Sequence, residues 1–148
     1  MSTHSQQTGS HHELLHEHAY LRTVLELVTE TVAARQARPV VVAEMVSQAV
    51  EGVLEHFWCE ERSGHLNVAT ERAPNLAVRA EALIREHEEM ALQLRDIQRH
   101  TSAAEASTVW WQQLQDLWEQ FLTRFEKHED AENRLLQTAF TEDLGAID

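Results

Sequence analysis

Four histidines stand at positions that the hydrophobic periodicity of this chain assigns to its interior, and any fold for it must accommodate all four. Apolar residues recur at steps of three and four, the pattern of helices that bury one face. The first stripe reads Leu14, His18, Leu21, Leu25, Val28, Val32, and the second Val42, Val46, Ala49, Val53, His56, Glu60. The third reads Leu76, Ala80, Leu83, His87, Met90, Leu94, Ile97, and the fourth Trp110, Leu114, Leu117, Phe121, Phe125, His128, Glu132, Leu135. Each stripe carries one histidine, and Glu60 and Glu132 each follow a histidine by four residues. An imidazole or carboxylate buried without a partner costs several kcal/mol. Six such groups in one core must therefore be satisfied together.

Capping signals divide the chain into four long helices. Ser10-x-x-Glu13 reads as a capping box opening a helix to about Arg35. Pro39 suits the first turn of a second helix that stops near Ser63-Gly64. Asn75 after Pro74 is an N-cap for a third helix to about His100, and Ser102-x-x-Glu105 opens a fourth to about Phe140. Residues 64–74 form the only sizeable connection. Short loops between long helices make antiparallel neighbours, so the expected fold is all-α, an up-down-up-down antiparallel four-helix bundle. Residues 1–9 read as a disordered leader and 10–148 as a single domain.

In that topology the six polar groups share a level. His18 lies eight residues after Ser10, His56 seven before Ser63, His87 twelve after Asn75 and His128 twelve before Phe140. At about 1.5 Å per residue these depths agree within roughly two helical turns. Glu60 and Glu132 sit one turn beyond their histidines and point into the same layer.

Composition excludes several functions. There are 25 Asp+Glu against 12 Lys+Arg, a formal net charge of −13. The basic residues are 11 Arg, scattered singly, and Lys127. Nucleic-acid and acidic-membrane surfaces both need clustered cations, so neither partner is expected. The lone Cys59 rules out an internal disulfide framework and fits a reducing compartment. No apolar run approaches the length of a membrane span and the N-terminus lacks a signal-peptide core, so a cytoplasmic location is expected.

Imidazoles with carboxylates suit a borderline divalent metal: iron, zinc or manganese. Four histidines and two glutamates exceed what one tetrahedral zinc needs, so two ions bridged by Glu60 and Glu132 fit better. Four imidazoles, two bridging carboxylates and a bridging oxygen fill about ten of the twelve positions around two octahedral ions. About two stay open for water, dioxygen, nitric oxide or peroxide.

His18 in Glu-His-Ala-Tyr-Leu-Arg, His56-Phe57-x-x-Glu60-Glu61, His87 in Arg-Glu-His-Glu-Glu-Met, and His128-x-x-x-Glu132 resemble the hemerythrin-like, HHE cation-binding domains over roughly residues 11–145. The resemblance implies a four-helix bundle holding two non-heme iron ions with an oxo or hydroxo bridge. It implies His18, His56, His87 and His128 as terminal ligands, and Glu60 and Glu132 as bridging carboxylates. Such centres bind dioxygen, sense oxygen or iron, or react with peroxide or nitric oxide. Oxygen-carrying hemerythrins have two histidines one turn apart on the third helix, whereas His87 is flanked at that spacing by Leu83 and Ala91. That departure favours a more open centre and raises a catalase-like peroxide enzyme as the alternative function. A metal-stabilised signalling or interaction module without turnover is the other. Glu61 and Tyr20 are the candidates to fill the vacant place.

Other motifs read as background. His12-Glu13-Leu14-Leu15-His16 matches the H-E-x-x-H zinc-protease pattern, but it opens the first helix of an all-α chain, with no sheet to hold a substrate. A ferritin-like site needs Glu-x-x-His on two helices, and only Glu13-x-x-His16 occurs. His4, His11, His12, His16, His65 and His100 read as solvated. Glu86, Glu88 and Glu89 read as solubilising surface, and Trp110, Trp111 and Trp118 as core.

Overall fold

The computed structural model describes the backbone of residues 4–64, 66, 71, 73–103, 105 and 107–145, and the side chains of 18–62, 64, 66, 71, 73–103, 105 and 107–141. Four helices follow one another: α1 His4–Ala34, α2 Pro39–Ser63, α3 Ala77–Ser102 and α4 Thr108–Gly145, with a 3-10 turn Pro74–Leu76 ahead of α3. Each packs on its sequence neighbour, and α4 closes the ring against α1. This is the expected antiparallel bundle. No described helix is long and apolar enough to cross a membrane.

The inward stripes follow the sequence periodicity closely. All seven residues expected on the third stripe are buried, from Leu76 to Ile97. On α4 the stripe differs at one position, where Trp118 rather than Leu117 lies in the core. The indole Nε1 of Trp118 donates to Thr29 Oγ1 at 2.9 Å, which ties α4 to α1. Met90, Leu94, Ile97, Leu114 and Phe121 form the dry centre with Val28, Val32, Val42 and Val46. A smaller cluster of Leu76, Ala80, Leu83, Leu135 and Ala139 closes the other end. The polar layer lies between the two clusters.

Helix ends depart from the sequence reading in three places. α1 runs back to His4 rather than starting at Ser10, so His4–Gly9, expected in a disordered leader, continue the helix; residues 1–3 lie outside the described residues. No proline interrupts the segment, and the Ser10-x-x-Glu13 side chains lie outside those described. Asn75 sits inside the 3-10 turn, and Leu76 is the N-cap of α3. The third departure is at the last loop. Ser102 ends α3, its hydroxyl donating to the Arg99 carbonyl at 2.8 Å, so it cannot open the next helix. Ser107 caps α4 instead, its Oγ accepting from the Trp110 backbone N–H at 3.1 Å. The end of α2 is as expected: Gly64 takes a left-handed φ of 69°, the geometry that closes a helix at low cost for glycine.

The end of the bundle remote from the polar layer is well tied. Arg35, itself at φ 53°, donates to Gln112 and Gln115 on α4 at 2.8 Å each. His100, read as solvated from sequence, is half-buried and stacks on Trp110 at 5.3 Å between ring centroids. It also meets the Trp110 carbonyl at 2.9 Å through Nε2.

Candidate metal centre

Helical spacing builds the polar layer. On α2, His56 and Glu60 are one turn apart and face inward together. His87 comes from α3, while His128, Glu129 and Glu132 come from one turn of α4. The donor atoms fall into two groups, each with all its atoms within 4.8 Å of one another: His18, His56, Glu60 and Glu129, then Glu60, His87, His128 and Glu132. All six residues singled out in the sequence are thus brought together. Glu60 belongs to both groups. Its Oε1 lies 2.6 Å from His56 Nε2 and its Oε2 lies 3.1 Å from His87 Nε2. Glu132, the other expected bridge, belongs to the second group only, 3.1 Å from His128 Nε2.

Glu129 was missed by the sequence reading. Its carboxylate lies 2.9 Å from His56 Nε2 and completes the His18 group. The signal was there in its place on the helix: three residues before Glu132, it looks toward α1 and α2 where Glu132 looks toward α3. Each group thereby holds two imidazoles and one carboxylate of its own, with Glu60 shared. Tyr20 fills no position, being 66% exposed.

The two groups differ in setting. His56, His87 and His128 are buried, whereas His18 is exposed and reaches the layer from the side, its ring 4.6 Å from that of His56. Glu61 holds the back of His87, accepting from Nδ1 at 2.9 Å. Glu86, expected as plain surface, holds the back of His128 in the same way at 2.7 Å. These are the outer carboxylates that a metal-binding imidazole needs to fix its tautomer. Glu89 pairs instead with Arg124. Phe57 stacks on His87 at 4.2 Å between centroids, walling the layer on one side.

Between α1 and α4 a cleft of about 580 Å³ opens onto the His18 group, lined by His18, His56 and Glu129 and, farther out, by Glu126 and Asp130. Its apolar wall is Leu21, Leu25, Leu122 and Phe125. The Trp118–Thr29 and Arg35–Gln112 contacts pin α1 to α4 below it.

Electrostatics knit the layer together. Burial opposes charge on His56, but hydrogen bonds to Glu129 and Glu60 outweigh it and push its pKa up to about 10. His87 is likewise raised to about 10, against burial, by Glu132, Glu60 and Glu61. His128 is raised against burial by Glu132 and Glu86. Glu132 would be raised by burial, yet His128 and His87 hold it well below the usual carboxylate range. Glu60 goes the other way, lifted by burial and by the neighbouring Glu132. Desolvation of the His18 ring, together with His56 beside it, lowers His18. Convergent imidazoles and carboxylates that hold protons only by pairing with each other form a donor set suited to cations.

The family model of the hemerythrin HHE cation-binding domain matches residues 10–137. The chain belongs to this family. The match reaches into all four helices and includes every residue of the two donor groups. No curated protein and no solved structure matches the chain. The hemerythrin-type domain thus carries two His/Glu groups that could hold metal ions.

The H-E-x-x-H motif at His12–His16 lies outside the described side chains, as do those of His4, His11 and His65. Cys59 is half-buried.

Proposed function

We propose that this hemerythrin-type domain holds two non-heme iron ions, one in each donor group, and binds or senses a small molecule: dioxygen, nitric oxide or peroxide. The observation that carries the reading is Glu60, whose two carboxylate oxygens each face a histidine of a different group. A carboxylate so placed serves two cations at once. When bound, a reduced iron pair supplies electrons and an open coordination position; zinc or manganese suits the same donors without being the favoured occupant.

The chain's own residues do the rest. Glu129 and Glu132 each neutralise one group, and Glu60 divides its charge between them. Glu61 and Glu86 keep His87 and His128 oriented with Nε2 inward. Phe57 and Phe125 exclude water from the inner walls. The α1–α4 cleft gives a small ligand its path to the His18 group. Its width and polar lining also favour a second reading, peroxide decomposition, since a hydrogen-bonding molecule is at home there. A chain with a single cysteine can form no internal disulfide, which supports a cytoplasmic setting.

Elemental analysis of the native protein, followed by anaerobic addition of dioxygen, nitric oxide or peroxide to the reduced form, tests this. Two irons per chain and a reversible spectral band with dioxygen or nitric oxide support binding or sensing. Rapid gas release from peroxide moves the assignment to the enzyme. Inertness toward all three leaves a metal-stabilised interaction module, and fewer than two metals in fully loaded protein removes the dinuclear centre.

A further inference from the structure

The two donor groups share a carboxylate but not a setting, and the differences all point the same way. The His87 group lies deep: the His128 side chain is 0% exposed and that of Glu132 9%, against 20% for Glu129 and an exposed His18. Its imidazoles are backed by Glu61 and Glu86, which lock the ring orientation and raise the basicity of the donor nitrogen. In the His18 group, His56 Nδ1 is buried with no hydrogen-bond partner among the described residues. Among the described residues the α1–α4 cleft reaches His18, His56 and Glu129, and its lining does not include His87 or His128. Glu126 and Asp130 along that cleft present carboxylates to solvent, with Arg22 the one Arg or Lys among the described residues on its lining. A weaker, more exposed donor set is the second to fill as cation is added and the first to empty, and an anionic approach speeds the exchange by drawing cations to it.

We propose that the two metal positions are unequal: the His87 group holds a resident ion, and the His18 group holds an exchangeable one that enters and leaves through the cleft between α1 and α4. The inference rests on the dinuclear reading above. It has a mechanical consequence. α1 reaches the layer only through His18 among the described residues, while the hydrogen bonds to α4 made by Thr29 on α1 and by Arg35 just after it lie lower down. Occupancy of the exchangeable position therefore clamps this part of α1 to α2 and α4. Loss of that ion releases it while the rest of the bundle stays closed around the resident ion. The domain thereby converts availability of a divalent cation into the mobility of one helix.

The test uses Zn²⁺, which is redox-inert, with the full chain. Metal-free protein is titrated in competition with a chromophoric chelator, and the loaded protein is then challenged with excess chelator. The expected result is two ions per chain, affinities at least tenfold apart, and release in two phases of one ion each. His18→Ala binds one ion and lacks the fast phase. The double variant Glu61→Gln with Glu86→Gln keeps the shape of both side chains, and it speeds the slow phase by about 10–100-fold while sparing the fast one. Amide exchange at residues 18–25 slows with the second ion and not with the first. Release of both ions in a single phase overturns the proposal, as does loss of both ions in His18→Ala protein that keeps its helical circular dichroism. One ion per wild-type chain instead removes the dinuclear reading, and this inference with it.

Discussion

His128 on α4 donates through Nδ1 to Glu86 on α3 at 2.7 Å, while its Nε2 faces Glu132 at 3.1 Å. The ring is held from both sides by carboxylates of different helices, so its tautomer is set before any cation arrives. Partners of this kind are worth about 10–100-fold in metal affinity. Glu86→Gln is therefore expected to weaken zinc binding by about tenfold or more, and also to lower the melting temperature of the metal-free protein, because the Glu86 carboxylate helps to raise His128. Glu88→Gln, two residues away on the exposed face, is the control and should bind zinc as the wild type does. Competition titration of both variants checks the pair.

The raised histidines make the metal-free fold sensitive to alkali. His56 and His87 are raised from 6.5 to about 10 by their carboxylate partners. A raised pKa stabilises the fold fully below the unfolded value, and that contribution disappears as pH climbs through the folded one. Glu132 is depressed, so its contribution is present above 4.5 and lost in acid. Glu60 is raised, which also lowers stability as pH rises. Metal-free protein should accordingly be most stable between about pH 4.5 and 6.5 and should lose melting temperature steadily toward pH 10. Ions require neutral imidazoles, and protons compete with them. The rise in melting temperature produced by zinc should therefore grow over the same alkaline range. Thermal scans with and without zinc across pH measure both slopes; parallel slopes would show that the ions do not displace these protons.

The last loop offers a contrast between two serines. Ser107 caps α4, accepting from the Trp110 N–H, while Ser102 only folds back on its own helix. Removing an N-cap hydroxyl costs about 1 kcal/mol. Ser107→Ala should lose roughly that amount in denaturant unfolding, and Ser102→Ala should be close to neutral. Equal losses would mean that the cap has been assigned to the wrong residue.

That exchange of serines shows what the sequence makes legible here. The stripes that bury Leu76 to Ile97 on α3 and His128 and Glu132 on α4 follow from a period of 3.6, a property of the whole helix that survives local error. A cap depends on one loop conformation, and Ser102-x-x-Glu105 and Ser107 both satisfy the local pattern. Only the extension of α3 through Ser102 decides between them. The donor layer was legible for the same reason as the stripes, because four histidines on inward faces at one level leave few alternatives. Glu129 was not, since it lies beside the stripe and reaches the layer only because α1 stands off from α4 there. Glu86 was read as plain surface and Glu61 as a candidate for the vacant coordination place rather than as the partner of His87 Nδ1: each is partly exposed, and from sequence alone a carboxylate behind an imidazole on another helix looks like any surface acid.

Trp118 offers the cleanest separation of scaffold from site. It is 1% exposed, packs on Phe121 with centroids 5.5 Å apart, and donates to Thr29 Oγ1 on α1. Thr29 in turn donates to the Leu25 carbonyl at 2.8 Å, so its hydroxyl keeps a partner if the indole is lost. Trp118→Phe removes one hydrogen bond, worth about 1 kcal/mol, and leaves a cavity where the second ring was. A total loss of about 2–3 kcal/mol is expected in denaturant unfolding, because a buried void adds to the lost bond. Thr29→Val should cost less, and the double variant should fall short of the sum by about 1 kcal/mol, the coupling between the two side chains. Trp118 lies ten residues before His128 on a continuous helix, about 15 Å away. Zinc stoichiometry should therefore stay at the wild-type value in all three variants. A drop in zinc bound by folded Trp118→Phe protein would mean that the pin between α1 and α4 also sets the geometry of the His18 group.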